Sequence, residues 1–407
     1  MYAKTRLGYT VTRQDAYGNA TGIGTTTIYL YSSSTSSTKK FYDDSLAGSI
    51  ITSIDIGPGH STASFWYYDE EPGTYTITAS DSTPTADGAT GIADATDSVV
   101  VNPVATKFVI IDPSDGTVDA PITVTVQAQK PDNSVDTNYQ SDVTLNTTGS
   151  ATGGGVVDII NGVGTKNISD TVAETVDLSL TDSASTGLDV SSTQSVVLAG
   201  GAIAQFTLNS PGPLAAGQRV GYTVTRKDQY GNVSIQATST VYLYSSSTSA
   251  DKRFYNAASG GGAITSIEIA PGSSTGSVWY YDTLPGTWTI TASDNASNPD
   301  GNVGVNDAVD SLVVTAGPVA TFFLNDPGDM TASTRLGYTV TRKDQFANLV
   351  TDGSTTVYLY SNSTGTSTPV FYDAATDGNA VTFITINSGQ SSANVWYEDP
   401  NEGTWTI

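Results

Sequence analysis

The chain has 407 residues, of which 40 are acidic and 16 basic, so its formal net charge at pH 7 is −24. A surface this acidic repels nucleic-acid phosphates and anionic lipid headgroups, which argues against both as partners. Cysteine is absent and histidine occurs once, which excludes disulfides and thiolate metal sites. No apolar run approaches the roughly 20 residues of a membrane-spanning helix.

Short alternating apolar runs, separated by Gly, Pro, Asn and Asp, are typical of strands. The run YTVTR places Tyr9, Val11 and Arg13 on one face of a strand. The next run, TTIYLYS, points Ile28 and Leu30 one way and its tyrosines the other way. Roughly seven or eight such strands per module, with no helical stretch, predict an all-β chain of antiparallel immunoglobulin-like sandwiches.

The phrase GYTVTRQDAYGN at residues 8–19 recurs, slightly changed, at residues 221–232 and 337–348. Recurrence at a domain-sized period indicates tandem modules rather than one active site. The first interval is about twice the second, so a divergent module lies between. We predict an Ig-like module 1 at residues 1–103, a divergent module 2 at 104–200, module 3 at 201–316 and module 4 at 317–407.

Modules 1 and 4 look incomplete at the level of sequence. Module 1 begins at the repeated phrase and lacks the apolar run, stopped by proline, that opens the other three modules. Module 4 stops within the run EGTWTI, before any last strand. Two interpretations stay open: the chain is a window from a longer repeat protein, or a strand from a neighbouring copy completes each sandwich.

The run EPGTYTITA at residues 71–79 resembles the F strand of an immunoglobulin-type sandwich. Tyr75 stands at the tyrosine-corner position, and Ile77 replaces the usual cysteine. Trp288 and Trp405 stand at the same position in modules 3 and 4. They lack the hydroxyl that closes a tyrosine corner, so we expect them to keep its packing role, while its hydrogen bond stays an open question. With strands that end in Asp-x-x-Gly-Asn, the modules resemble the bacterial Ig-like tandem repeats of the invasin, intimin and filamin-like kind.

That resemblance implies an extracellular or cell-surface protein. Such repeats serve as stalks, surface-layer subunits, fibres or adhesins, and the fold does not choose among these uses. The sequence lacks nucleophile elbows, phosphate-binding loops and zinc-protease motifs, so we expect no enzyme. We predict a structural repeat protein that self-associates into a rod, filament or surface layer. The alternative is an adhesin stalk or binding module for glycans or a partner protein.

Two acidic loops follow the F strands of modules 1 and 3. They are rich in Asp, Asn and Gly, the residues that supply oxygen ligands to calcium, although their spacing is not that of an EF-hand. A solvated loop, whose Asp and Asn residues form turns, is the alternative. The predicted calcium ligands are Asp81, Asp87, Asp94 and Asp97 in module 1 and Asp294, Asp300, Asp307 and Asp310 in module 3.

Aromatic residues on the faces opposite the core are the remaining candidates for a binding surface. In the repeated strand these are Tyr29 and Tyr31, with the matching pairs in modules 3 and 4. Three interpretations stay open: cross-strand stabilisation, contacts between copies, and stacking on glycans.

Overall fold

The computed structural model describes residues 1–407, and all of its regular secondary structure is strand. The predicted all-β architecture is confirmed. The chain divides into two compact units, Met1–Gly116 with Ala120–Leu198, and Thr117–Asp119 with Ala199–Ile407. It contains no helix of the length and hydropathy needed to cross a membrane.

Module 1 is a sandwich of two four-stranded sheets, in the orders β1-β6-β3-β4 and β5-β2-β7-β8. Its core joins side chains of both sheets, among them Phe65 and Tyr67 from one and Ile28 and Ile77 from the other. The strands are β1 (Arg6–Thr12), β2 (Thr26–Ser32), β3 (Lys40–Tyr42), β4 (Ile50–Ile51), β5 (Ser53–Ile56), β6 (Thr62–Tyr68), β7 (Gly73–Ser80) and β8 (Ala95–Val101).

Module 2 keeps the sandwich plan despite its divergent sequence. Its sheets have the strand orders β10-β16-β15-β12-β13 and β14-β11-β9. The strands are β9 (Lys107–Ile111), β10 (Gly116–Thr117), β11 (Ile122–Gln129), β12 (Val143–Thr147), β13 (Gly155–Val157), β14 (Val163–Ile168), β15 (Thr175–Thr181) and β16 (Gln194–Ala199).

Module 3 has two five-stranded sheets, in the orders β17-β19-β24-β21-β22 and β18-β26-β25-β20-β23. Phe206 of β17 belongs to its core. The strands are β17 (Gln205–Leu208), β18 (Leu214–Ala215), β19 (Arg219–Lys227), β20 (Ser239–Ser245), β21 (Arg253–Tyr255), β22 (Ala263–Ile264), β23 (Ser266–Ile269), β24 (Thr275–Tyr281), β25 (Gly286–Ser293) and β26 (Ala308–Thr315).

Module 4 combines a five-stranded sheet, β27-β28-β33-β30-β31, with a two-stranded one, β29-β32. Residues 402–407, the sequence counterpart of the first part of β7, are not assigned to a strand. The strands are β27 (Thr321–Leu324), β28 (Arg335–Lys343), β29 (Thr355–Tyr358), β30 (Val370–Tyr372), β31 (Ala380–Val381), β32 (Phe383–Ile386) and β33 (Ser392–Glu398).

The alternation predicted from period two is confirmed in β1 and β2. Val11 and Arg13 are buried on the core side of β1, and Ile28 and Leu30 are buried in β2. In the run FWYYD the buried pair is Phe65 and Tyr67, while Trp66 and Tyr68, which alternate with them, are partly exposed. The side-chain pattern of the strands therefore fixes which face of each sheet meets the core.

The tyrosine corner is present in module 1, and its hydrogen bond is also formed in module 3, where tryptophan replaces the tyrosine. The hydroxyl of Tyr75 donates to the carbonyl of Glu71 at 3.2 Å. The indole N–H of Trp288 donates to the carbonyl of Leu284 at 3.0 Å, four residues upstream as in module 1. The hydrogen bond that the sequence left open for tryptophan is therefore formed in module 3, because the indole nitrogen replaces the hydroxyl as donor.

Each of modules 1, 3 and 4 buries one arginine at the end of the repeated strand. Arg13, Arg226 and Arg342 have no ion-pair partner and donate to backbone carbonyls and hydroxyls instead. In module 3, for example, the guanidinium of Arg226 bonds the hydroxyl of Ser239 and the carbonyl of Ala270. These arginines satisfy carbonyls at the end of the core that would otherwise be buried without a partner.

Candidate metal centres in two acidic loops

The two acidic loops connect the same pair of strands in modules 1 and 3. One runs from β7 to β8, and the other runs from β25 to β26. Within each pair the strands are antiparallel neighbours, with Thr78 opposite Thr96 and Thr291 opposite Val309. The first aspartate of each loop follows the end of one strand, and the last aspartates lie at the start of the neighbouring strand. The two ends of the loop are therefore close together.

In both modules the structure brings three of the four predicted aspartates together. One carboxylate oxygen from each of Asp81, Asp87 and Asp94 lies within 4.8 Å of the others. The corresponding oxygens of module 3 lie within the same distance of one another. The trio of module 3 comprises Asp294, Asp300 and Asp307.

Backbone hydrogen bonds hold the first and last aspartate of each trio. The N–H of Gly88 donates to Oδ2 of Asp94 at 2.8 Å, and the N–H of Ile92 donates to Oδ2 of Asp81 at 3.1 Å. Module 3 repeats both bonds, from Gly301 and Val305, at 2.8 and 3.1 Å. Each of these aspartates thus has one oxygen engaged by the loop.

A glycine shapes the loop around the first carboxylate. Gly91 has φ +71°, in the left-handed region that favours glycine, and a Cβ there would lie 2.8 Å from Oδ2 of Asp81. Gly304 of module 3 has the same φ, and its Cβ would lie 2.6 Å from Oδ2 of Asp294. The close approach of backbone to carboxylate is therefore a shared property of the two loops.

Five further carboxylate oxygens of the trios are buried and have no hydrogen-bond partner, and none of them belongs to Asp87, which is exposed. Such atoms are costly to desolvate, and like charges this close repel each other. A bound cation would remove both penalties, which makes the unpartnered oxygens the strongest evidence for a cation at these loops. They are Oδ1 of Asp81, Asp94, Asp294, Asp300 and Asp307.

The donor set and its spacing fit calcium. Calcium binds oxygen ligands at about 2.3–2.6 Å, so two oxygens on one ion lie at most roughly 5 Å apart. The spread of 4.8 Å within each trio is inside that limit. Three carboxylates fall short of the six to eight oxygens that calcium takes, and backbone carbonyls and water would supply the others.

Asp97 and Asp310, the fourth predicted ligands, lie outside the trios. They stand on β8 and β26, and each is near a tyrosine of the repeated strand. The hydroxyl of Tyr222 donates to Oδ2 of Asp310 at 2.8 Å; burial, this bond and the charge of Asp310 raise the Tyr222 pKa. Burial, and then the charge of Asp97, raise the pKa of Tyr9 to about 12. These two aspartates therefore face tyrosines and not the candidate cation.

A second group of carboxylates, which the sequence did not single out, anchors the linkers between modules. The N–H of Gly201 donates to Oδ2 of Asp228 at 2.8 Å, and the N–H of Gly317 donates to Oδ2 of Asp344 at 2.9 Å. Both aspartates are buried and begin the repeated turn, which reads DQYGN in module 3 and DQFAN in module 4. In module 2 the N–H of Ala105 is bonded instead by Asp136, further along the chain.

The sequence could have indicated that the aspartate of the repeated turn bonds the linker, because this aspartate recurs at a fixed distance from the module boundary. Its other oxygen bonds the turn itself: Oδ1 of Asp344 accepts from the N–H of Phe346 and of Asn348, both at 2.9 Å. The amide of Asn348 also donates to the carbonyl of Thr283 in the preceding module at 2.8 Å. The turn therefore connects one module to the next as well as reversing the chain.

The tyrosines opposite the core differ among modules. In modules 1 and 3 they are partly buried, and the hydroxyls of Tyr31 and Tyr244 donate to the carbonyls of Ser82 and Asn295. In module 4 the matching Tyr360 is 76% exposed. In modules 1 and 3 these tyrosines pair with the second half of β7 or β25, which corresponds to positions after Ile407 in module 4.

Comparison with known proteins gives similarity at the level of fold. The chain is a tandem array of Ig-like sandwiches. No protein-family description and no curated protein matches it. Solved structures that resemble it include the S-layer protein rSbsC(31-844), at 16% identity over 95% of this chain and 47% of that one, with a TM-score of 0.28.

Two bacterial surface proteins also match. InvD of Yersinia pseudotuberculosis is 15% identical over 71% of this chain and 84% of its own, with a TM-score of 0.38. The D0-D1 domain of intimin is 18% identical over 51% of this chain and 98% of its own, with a TM-score of 0.19. The array thus resembles bacterial Ig-like surface proteins of the invasin and intimin kind at low identity, and it spans about half of the S-layer chain.

Proposed function

We propose that this chain is a non-enzymatic structural protein of the cell surface or extracellular space, which self-associates into a rod, filament or surface layer. The observation that carries the proposal is the anchoring of successive linkers by buried carboxylates. Asp228 and Asp344 are at most 1% exposed, and each fixes the first residues of its own module's linker. Asn348 of the module 4 turn also bonds the carbonyl of Thr283 in module 3, and a joint held in this way suits an extended array better than independently moving binding modules.

The second part of the proposal is that each acidic loop binds one calcium ion. The unpartnered oxygens of both trios support it, as does the repetition of the same bonds in two modules. A cation there would hold the long connection between β7 and β8, or between β25 and β26, in one conformation. Calcium would accordingly stiffen the modules from which an assembly is built.

Sedimentation velocity and electron microscopy of the full chain, with calcium and with a chelator, test the proposal. We expect concentration-dependent assemblies that loosen in chelator. The double substitution Asp81→Asn with Asp94→Asn should reproduce the effect of chelator on module 1. Asp97→Asn is the control, because it removes a carboxylate charge of the same region but lies outside the trio.

Each outcome separates one part of the proposal from another. If neither chelator nor the double substitution changed the assemblies, self-association would be supported and the calcium part of the proposal would be contradicted. A chain that stays monomeric at every concentration would contradict self-association. In that case the alternative of an adhesin stalk or binding module would be favoured.

A further inference from the structure

A buried aspartate follows the same strand of all four modules, which is β6, β14, β24 or β33. It is Asp69 in module 1, Asp170 in module 2, Asp282 in module 3 and Asp399 in module 4. All four side chains are at most 5% exposed. Because a buried carboxylate is costly to desolvate, each of its oxygens needs a hydrogen-bond donor or a cation.

In module 1 hydroxyl groups surround this aspartate. The hydroxyl of Tyr67 donates to Oδ2 of Asp69 at 2.6 Å. Burial raises the Asp69 pKa, but bonds from the hydroxyls of Ser34 and Tyr67 outweigh it, so the pKa lies below its usual value. Module 3 repeats the tyrosine bond, with the hydroxyl of Tyr280 donating to Oδ2 of Asp282 at 2.6 Å. In both modules a tyrosine therefore satisfies this oxygen.

Module 2 keeps the aspartate but replaces both hydroxyl residues. Strand register places Ile168 at the position of Tyr67 and Gly149 at the position of Ser34. Neither replacement carries a hydroxyl, and Ile168 is fully buried. As a result, Oδ2 of Asp170 is buried without a hydrogen-bond partner.

A second carboxylate stands beside Asp170, at a position where modules 1 and 3 have Gly73 and Gly286. It belongs to Glu174, whose Oε1 accepts from the N–H of Ser150 at 2.6 Å. The hydroxyl of Ser150 lies 2.7 Å from Oδ1 of Asp170 and 3.0 Å from Oε1 of Glu174. A hydroxyl has one hydrogen to donate, so it cannot satisfy both carboxylates at once.

The loop backbone is shaped around the Glu174 carboxylate. Gly149 has φ +65°, in the left-handed region that favours glycine, and a Cβ there would overlap Oε1 of Glu174. Compared with module 1, module 2 has therefore lost two hydroxyl donors and gained a second acceptor. Ser150 is exposed and Glu174 is partly exposed, so an ion from solvent can reach the pair.

We propose that Asp170 and Glu174 of module 2 bind a hard divalent cation, which takes the place of the tyrosine and serine hydroxyls of module 1. A neutral donor would satisfy one oxygen but would leave two negative charges side by side, whereas a cation removes both penalties. The two carboxylates and the hydroxyl of Ser150 form an all-oxygen donor set, which hard cations such as calcium prefer. This site is separate from the acidic loops, which belong to modules 1 and 3.

The donor residues lie on two different connections of module 2. Ser150 lies between β12 and β13, and both carboxylates lie between β14 and β15. In module 1 the hydroxyl of Ser34 links the corresponding connections by bonding Asp69. A cation would make the same link in module 2, so the divergent module would depend on a metal where its neighbours depend on hydroxyls.

Hydrogen exchange of the full chain, followed by mass spectrometry with calcium and with a chelator, tests the proposal. The reporters are peptides that cover residues 147–152 and 169–174. An ion that binds only the closed loops slows their exchange roughly in proportion to its free concentration over its dissociation constant. At free calcium about ten times that constant, we expect exchange about 10-fold slower than in chelator. An equal effect of magnesium would extend the site to smaller divalent ions.

Asp170→Asn and Glu174→Gln should each remove the calcium response of these two peptides. Both variants are used because Asp170 is buried and its replacement could disturb the loop by itself, whereas Glu174 is partly exposed. Asp177→Asn is the matched control: it removes an exposed carboxylate from the neighbouring strand β15 and should leave the response unchanged. Peptides that contain Gly88 and Gly301 report the acidic loops in the same sample, so the two calcium proposals succeed or fail separately.

Three results would overturn the proposal. The first is exchange of both reporter peptides that is the same in calcium, magnesium and chelator. The second is protection that appears without any cation when the pH falls from about 7 to about 4, after correction for intrinsic exchange, because the two carboxyl groups would then share a proton. The third is a calcium response that survives both Asp170→Asn and Glu174→Gln, because the ion would then lie elsewhere.

Discussion

Modules 1 and 3 share their repeated phrase, their strand order and their acidic loop, yet they differ along one edge. In module 3 β17 lies between the repeated strand and the acidic loop, and it seals the core. In module 1 the same edge is an open groove. The comparison shows that one short strand closes the core edge of module 3, whereas the corresponding strand β1 of module 1 pairs on one side only.

The largest effect is expected where that strand enters the core. Phe206→Ala should destabilise module 3 by about 3–5 kcal/mol, because it removes a buried ring and leaves a cavity. Hydrogen exchange resolved by module would measure the loss, with Thr207→Ala, which faces away from the core, as control. If module 3 kept its protection, β17 would not be what distinguishes the two modules.

The second largest loss of stability is expected on replacing the buried arginines. Arg226→Ala should cost module 3 about 2–4 kcal/mol, since it leaves several buried carbonyls without a donor. Arg13→Ala should cost module 1 less, because Arg13 borders the open groove and water can replace its bonds. Equal losses of protection in the two modules would contradict the idea that the groove admits water.

The turn aspartate supplies a test that depends on pH. Burial raises the Asp228 pKa, but bonds from the N–H of Gly201 and from Asn232 outweigh it, so the net pKa lies below its usual value. A lowered folded-state pKa contributes stability above the unfolded value of about 3.9 and loses it as pH falls through the folded value. Module 3 should therefore lose stability below pH ~4.

Asp228→Ala should remove about 1–2 kcal/mol at pH 7 and flatten that acid dependence. Asp15 is the matched control, because it occupies the same turn of module 1 but is exposed and its second oxygen bonds only Asn19. Thermal unfolding between pH 2.5 and 7 would make the comparison. An acid dependence unchanged by Asp228→Ala would show that other carboxylates cause it.

The smallest expected difference involves the tyrosine that faces the core in each module. Tyr222→Phe should cost about 1 kcal/mol, because it breaks the bond to Asp310. Tyr9→Phe should be neutral or stabilising, because the Tyr9 hydroxyl is buried without a partner. Calorimetry of the two variants would decide, and a larger loss for Tyr9→Phe would reverse the assignment.

Much of the fold could be predicted from local patterns. The period-two alternation placed Val11, Ile28 and Leu30 in the core, and the repeated phrase indicated tandem Ig-like modules. The tyrosine corner was found from its sequence, although the role of the Trp288 indole as donor was not. A tryptophan N–H can take over from a hydroxyl only where the chain geometry brings a carbonyl within reach, and sequence does not show that distance.

For the candidate metal centres the sequence supplied the residue types and their recurrence, and the tertiary structure supplied the selection. All eight aspartates recur in equivalent positions, yet only three per module point inward together. Asp97 and Asp310 lie within β8 and β26, where strand pairing turns their side chains toward tyrosines. The calcium assignment itself stays a prediction.

Local periodicity and composition were enough to predict the class of fold, the modular repeat, the core faces of the strands and the acidic character of the loops. Which carboxylates share a site and which aspartates hold the linkers became apparent only in the folded chain. Those features depend on contacts between residues far apart in sequence, such as Gly201 with Asp228 or Phe206 with Asn306. Nothing in a local pattern encodes which strand will lie beside another.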